Sequence, residues 1–309
     1  MPLKRYAAID IGSNTILFLI GQLTPHGAFE VIQDCGETTR LGKGLQKGGK
    51  LDHLSVKKSI TALKRFCSLC DKERIEEIAC VGTNALRMAQ DADAFISQVH
   101  EECGISPRII SEKEEAMLSY LSIQQDPLMP QDAVVMDVGG GSTEYIYRLK
   151  EDSADQLHTI SLPLGAVRLT EQCLHHDPPS LDEVKTLRDE IDKALHRIPS
   201  DLGGELVAIG GTAVTLGAIY LGLDVFNAEK VHGLQLTLNE LSVQVKKLGE
   251  KDIATRKKIK GLPPDRADII LAGTMIILTT MERLQKKAIH ISTHGLRYGL
   301  FYQSFIGAE

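Results

Sequence analysis

Two runs of acid and glycine, and one later glycine pair, hold the residue types from which phosphate chemistry is built. The first run is DIGSNT, with Asp10, Gly12, Ser13, Asn14 and Thr15; the second is DVGGGSTE, with Asp137, Gly139, Gly140, Gly141, Ser142, Thr143 and Glu144. The third is GGT, at Gly210, Gly211 and Thr212. Bare glycine backbone lets successive N–H groups splay around an anion, because no side chain blocks the approach. Hydroxyls of Ser13, Thr15, Ser142, Thr143 and Thr212 would add donors. Gathered phosphates also need a counter-charge, and Asp10 with Asp137 suits a hydrated Mg2+ held through outer-sphere contacts. A dinucleotide fingerprint is excluded, since it needs glycines at first, third and sixth places before a helix, and a strand-like run follows here instead. A tight bend between strands is the competing reading of each run taken singly. Three of them after strands, two opening on aspartate, favour phosphate.

The elements that must position these residues repeat a plan. Residues 5–10 alternate as a strand, turn through Gly12 to Asn14 and continue into a second apolar run; residues 133–137 do the same through Gly139 to Thr143 before 144–149 extend. Asp137 follows Asp10 by 127 residues. The chain is 309 residues long, and two related α/β halves fit that spacing. Between the aspartates the pattern predicts helices over 56–71, 92–103 and 113–124 and strands over 78–82 and 107–110. Pro127 and Pro130 break it, placing a hinge at 125–132 and domains at 1–126 and 127–309. Later come a helix over 181–198, opened by a Ser180/Glu183 capping box with a stripe from Leu181 to Ile198. A strand over 205–209 then runs into Gly210, whose helix presents a positive dipole end. The apolar run 269–281 is too short to span a membrane and reads as a buried helix. The segment 294–305 can pack on the second half or return to the first.

Composition narrows the partners. A net charge of −6 argues against duplex nucleic acid, which attracts a basic face. Residues 246–260 nonetheless carry seven cations against Glu250 and Asp252, either a solvated surface or a track for a polyanion. Cys67 and Cys70 have ligand-like spacing but share a helical face with Val56, Ile60 and Leu63, so they read as core. The other four cysteines are scattered, in keeping with reduced thiols in the cytoplasm. His175 and His176 have no acid or cysteine at metal spacing and read as surface loop. No charged leader with an apolar core and cleavage site opens the sequence.

The paired turns with the later GGT resemble the nucleotide- and phosphate-binding signatures of the actin, hexokinase and heat-shock chaperone superfamily. Within it the chain is most similar to the exopolyphosphatase and guanosine pentaphosphate phosphohydrolase family. AAIDIGSNTILFLI, TTRLGKGL, GTNALRMA, IISEKEEAMLSYL, VVMDVGGGSTEYI, SLPLGAVRLTE, AIGGTAVTLGAI, VHGLQLT, GLPPDRADIILAG and HGLRYGLF occur in family order. The resemblance implies two ribonuclease-H-like domains of the actin-like ATPase kind, with a cleft between them.

It also implies roles. Glu115, otherwise a surface acid complementing a helix dipole, matches the second glutamate of Glu-Glu-Ala, which acts on the attacking water. Asp137 matches the metal- and phosphate-associated acid, Glu144 the acid closing that motif, and Asp10 the symmetric acid. Arg87 and Arg40 match cleft arginines, with a surface cation as the ordinary alternative. Gly210, Gly211 and Thr212 match a site for distant phosphates or a nucleotide end. The family has glycine where this chain has Glu112, which changes the turn and adds charge. The activity implied is Mg2+-dependent release of the terminal phosphate of inorganic polyphosphate, with conversion of guanosine pentaphosphate to tetraphosphate as the alternative. An ATP-dependent phosphotransferase and a polyphosphate-binding regulator are more distant alternatives, disfavoured by the Glu-Glu-Ala segment and by the retained acids. Longer family members add C-terminal helical domains, so a shorter polymer grip is expected, and a homodimer is expected by the same likeness.

Overall fold

A computed structural model describes residues 3–24, 29–149, 152 and 156–306. The chain divides into two compact units: Met1–Ser122 with Leu296–Glu309, and Ile123–Gly295.

The first unit begins with strands β1 (Arg5–Ile11), β2 (Thr15–Leu23) and β3 (Phe29–Thr38) in an antiparallel meander. Helix α1 (His53–Glu73) carries the chain to β4 (Glu77–Gly82), parallel to β1. Short helix α2 (Asn84–Met88) and α3 (Ala92–Cys103) precede β5 (Arg108–Ile109) and α4 (Glu112–Gln124). The sheet order is β3-β2-β1-β4-β5. The parallel crossover through α1 buries β1, which therefore reads as a continuous apolar run interrupted by Asp10. α1 starts where Asp52 accepts the backbone N–H of Ser55 at 2.9 Å, and its Phe66 stacks on Phe18 of β2 with centroids 4.6 Å apart. Each fully buried phenylalanine contributes about 1.5–3 kcal/mol. Cys70 is buried and Cys67 half-buried, and burial pushes both thiols up to about 12, so they remain protonated core residues.

The second unit opens with β6 (Ala133–Val138), β7 (Thr143–Tyr147) and β8 (His158–Leu162), again antiparallel. Then follow α5 (Ala166–Cys173), α6 (Leu181–Leu195), β9 (Glu205–Ile209), α7 (Gly210–Leu221), α8 (Ala228–Val231), β10 (Gln235–Thr237), α9 (Leu238–Gly249), α10 (Ile253–Arg256), α11 (Ile270–Arg283) and β11 (Ala288–Ile291). The sheet order is β10-β11-β9-β6-β7-β8, with β9 parallel to both β6 and β11. Without edge strand β10 it repeats the first unit's plan. α11 is buried from Ile270 to Met281, as its unbroken apolar run predicts, and packs against α5, α6, α7 and α9.

α12 (Leu296–Phe301) packs on β1 and β2 in the first unit. Arg297 donates Nε and Nη2 to the two carboxylate oxygens of Asp34 on β3 at 2.8 and 2.7 Å, and Tyr298 donates its hydroxyl to the same group at 2.8 Å.

Three sequence expectations are corrected. The capping box at Ser180 is present, but α6 ends at Leu195 because Pro199 follows and the last turn tightens. Leu181 stands 88% exposed, so the buried stripe is Leu187, Ile191, Leu195 and Ile198. His176, in its loop, does have an acidic partner: Nδ1 lies 2.9 Å from Glu183 Oε1, the acid of that capping box. Among the described residues no helix is long and apolar enough to cross a membrane.

Candidate active site

In the second unit, register lines up the chemistry. Asp137 on β6 lies opposite Glu144 on β7, which lies opposite Ser161 on β8, so all three side chains occupy one row on one face of the sheet. Like charges directly opposite on antiparallel strands repel. Glu144 is steadied by two hydroxyls, Ser142 Oγ at 2.6 Å and Ser161 Oγ at 2.9 Å, both donating to Oε1. The turn between β6 and β7 is closed by Gly139 N–H on the carbonyl of Ser142 at 2.9 Å.

Asp137 also meets the start of α7. Gly210 has φ +82°, and a Cβ there would sit 2.2 Å from Asp137 Oδ1. Glycine at 210 thus serves both a left-handed turn and the approach of a carboxylate to the positive helix end. Next to it, a Cβ on Gly211 would fall 2.0 Å from Arg266 Nη2, so the guanidinium of Arg266 occupies the space that a side chain at 211 would need. Burial lowers the pKa of Arg266 from its ordinary value.

In the first unit, Asp10 sits on β1 at 8% exposure, opposite Leu17. Gly12 N–H closes the Gly12 to Thr15 turn at 3.1 Å, and the carbonyl of Asn14 accepts the backbone N–H groups of Thr39 and Arg40. Arg40 is held at φ +55°, a costly conformation for a residue with a Cβ, and its N–H on Asn14 ties it to the DIGSNT turn. Arg87 on α2 donates Nη1 to Glu115 Oε2 at 2.7 Å and to the carbonyl of Ile110 at 2.9 Å, which fixes the Glu115 carboxylate. Its neighbour Glu114 pairs with Arg108 at 2.6 Å. The two glutamates therefore have different partners, and Arg87 is part of the Glu115 site. Glu112 is the exposed first residue of α4, where its charge complements the dipole.

Three hydroxyls expected to bind phosphate are already committed. Thr143 Oγ1 is buried and donates to the carbonyl of Leu164 at 2.5 Å; Thr212 Oγ1 is buried and donates to Val138 at 3.3 Å. These threonines fasten the glycine turns and Ser142 Oγ is taken up by Glu144, leaving Ser13, Thr15 and backbone amides as donors. The basic stretch is also corrected. Arg256 is 2% exposed and donates Nε to Leu248 O at 2.8 Å and Nη1 to Ala267 O at 3.3 Å. Lys260 faces Asp224 at 3.0 Å, and Lys257 and Lys258 are exposed.

Sequence reading missed Ser161 and Arg266. Each sits in a stretch noted for its family likeness, but only strand register reveals the first and only the contact with Gly211 the second.

The Asp137 and Glu144 pair suits Mg2+: an all-oxygen donor set, two facing carboxylates that a cation would reconcile, and a cradle at Gly210 kept open for one of them. The sequence profile of the Ppx/GppA phosphatase family matches residues 19–306. Exopolyphosphatase 2 of Mycobacterium tuberculosis is 29% identical, the alignment covering 97% of this chain and 98% of that protein. A solved Aquifex aeolicus PPX-GPPA enzyme is 32% identical with a TM-score of 0.85, covering 98% of this chain and all of that one. A Cytophaga hutchinsonii exopolyphosphatase structure shares the fold, with a TM-score of 0.86 at 24% identity and 99% coverage of both chains. With its two meander-and-crossover sheets and a profile match over nearly its whole length, the chain belongs to the Ppx/GppA phosphatase family.

Proposed function

We propose that the protein is an exopolyphosphatase that hydrolyses the terminal phosphoanhydride of inorganic polyphosphate. The observation that carries this reading is the in-register Asp137 and Glu144 pair beside the Gly139 turn. Glu115, with its carboxylate set by Arg87, supplies the base. Water attacks the terminal phosphorus, its proton passes to Glu115, and the bridging P–O bond breaks to release orthophosphate and a chain shorter by one. Asp137 and Glu144 would hold Mg2+, which supplies charge neutralisation at the transferring phosphoryl group when bound. Ser142 and Ser161 fix the orientation of Glu144. Free amides of the Gly12 to Thr15 and Gly139 to Ser142 turns, with Gly210, Gly211 and the cations Arg40 and Arg266, would bind phosphate oxygens. Exposed Lys257 and Lys258 would extend that grip for long polymers, with Arg256 playing no part.

Guanosine pentaphosphate is the second reading, because its terminal anhydride presents the same bond and the Aquifex relative is described as a PPX-GPPA enzyme. The same proposal places the protein in the cytoplasm, in keeping with its six free cysteines, and as a homodimer, which light scattering tests.

The test incubates wild-type protein and Glu115→Gln with Mg2+ and, in parallel, long polyphosphate, guanosine pentaphosphate or ATP. Polyphosphate is expected to release orthophosphate, and the substitution to slow it about 10²- to 10⁴-fold. Release from none of the three sinks the hydrolase, and release unaffected by the substitution sinks the role of Glu115. Faster release from the guanosine compound hands the function to the second reading.

A further inference from the structure

Asp126, His232 and His294 come from three separated stretches of the second unit: the turn after α4, the end of α8 and the turn after β11. Their ligand atoms all lie within 4.8 Å of one another. Asp126 is 2% exposed, and its Oδ1 accepts the backbone N–H of Leu128 at 3.0 Å. Oδ2 has His232 Nε2 at 2.9 Å and His294 Nδ1 at 3.0 Å, yet this buried oxygen receives no aligned hydrogen bond. The two imidazoles stack with centroids 4.0 Å apart.

Donors that share an ion have this off-axis approach. With bonds of about 2.1 Å, neighbouring corners of an octahedron lie about 3.0 Å apart, each about 45° off the other's bond, whereas tetrahedral corners lie about 3.4 Å apart. The observed 2.9 and 3.0 Å, which are also hydrogen-bond lengths, match two octahedral edges, and the two histidine nitrogens lie within 4.8 Å of each other.

We propose that Asp126, His232 and His294 form the face of a six-coordinate site for one divalent first-row transition ion of the Fe2+, Co2+ or Ni2+ kind. Two histidines and one carboxylate on one face are a recurrent set for such ions. The remaining positions take water from the side of His294, whose side chain is 19% exposed. The site is distinct from Asp137 and Glu144, whose oxygens suit Mg2+. An ion here ties the residues that enter the second unit to those that leave it, through the turn after α8. One contact must yield: the Thr293 N–H lies 3.3 Å from His232 Nδ1, and an imidazole ligated through Nε2 carries its proton on Nδ1.

The test strips the full chain with a chelator and titrates it with Co2+, followed by calorimetry and by amide NMR. One ion per chain at micromolar concentration is expected, with the Thr293 amide strongly perturbed. His232→Ala and His294→Ala are each expected to weaken binding about 100-fold or more, while Asp137→Asn leaves it unchanged. X-ray absorption on the wild-type Co2+ protein needs no variant and is expected to show two imidazoles and six light-atom neighbours. Absence of binding, absence of imidazole scattering, or loss of binding on His176→Ala alone would overturn the proposal.

Discussion

The two units use one hairpin twice and put different side chains on it. Asp10 and Asp137 stand at matching places, and a glycine two residues on closes each turn, onto the carbonyl of Thr15 or Ser142. The turn carbonyls are clasped from outside in both: Ser13 O by Gly42 N–H in the first, Gly139 O and Gly140 O by the opening amides of α5 in the second. The cross-strand rows then differ. The first unit reads Asp10, Leu17, Gly36, and the second Asp137, Glu144, Ser161. Backbone geometry is therefore common property, and the facing carboxylates that invite a cation belong to the second unit alone. In the first unit, charges meet on helices instead, Arg87 of α2 with Glu115 of α4.

Making the second row resemble the first has the largest expected effect. Glu144→Leu should lower phosphate release about 10³-fold, read at saturating Mg2+ with the melting temperature as a folding control. Loss below tenfold would mean the rows are functionally alike. Next, Asp137→Asn should raise the Mg2+ concentration giving half-maximal rate about 10- to 100-fold, while Asp10→Asn raises it far less. Equal shifts would erase the distinction between the aspartates.

The clasps give a smaller contrast, in stability. A Cβ on Gly165 would lie 2.1 Å from the carbonyl oxygen of Gly140, which is backbone, whereas one on Gly42 meets the Ser13 Cβ at 2.9 Å. Gly165→Ala should cost about 3 kcal/mol and Gly42→Ala about 1 kcal/mol, measured by denaturant unfolding. The smallest effect is expected for Ser161→Ala. Losing one of two hydroxyls on Glu144 is worth about 1 kcal/mol, so kcat should fall about fivefold with KM steady, and Ser161→Thr should restore it.

Much of this contrast was open to inspection of the chain, because strands carrying an aspartate between apolar residues and capped helices with periodic stripes announce themselves locally. α3 covers the predicted residues and α6 starts at its predicted cap. Edge strands β3 and β8 leave only mixed exposure along their length, so their periodicity is weak and neither was foreseen. Side-chain commitments were hidden for a different reason. Arg256 has the same local sequence signature as Lys257 and Lys258, but carbonyls of Leu248 and Ala267 converge on it only after α9 and α10 fold. Thr143 looks like a phosphate ligand until the carbonyl of Leu164, 21 residues later, accepts its hydrogen bond. The pairing of Glu115 with Arg87 spans 28 residues and likewise needs the fold to be seen.

The union of Arg297 with Asp34 crosses 263 residues, and this sets a timetable for biosynthesis. At about 5–20 residues per second, the arginine leaves the ribosome roughly 10–50 s after its aspartate. Through that interval the first sheet waits with Ala8 and Leu19 lacking the α12 residues that later cover them. In the second unit, one uninterrupted stretch, the wait is shorter: the Tyr145 hydroxyl of its sheet meets Thr280 of α11 135 residues later. In a nascent chain the half that is made first is therefore the one whose sheet waits longest for its cover.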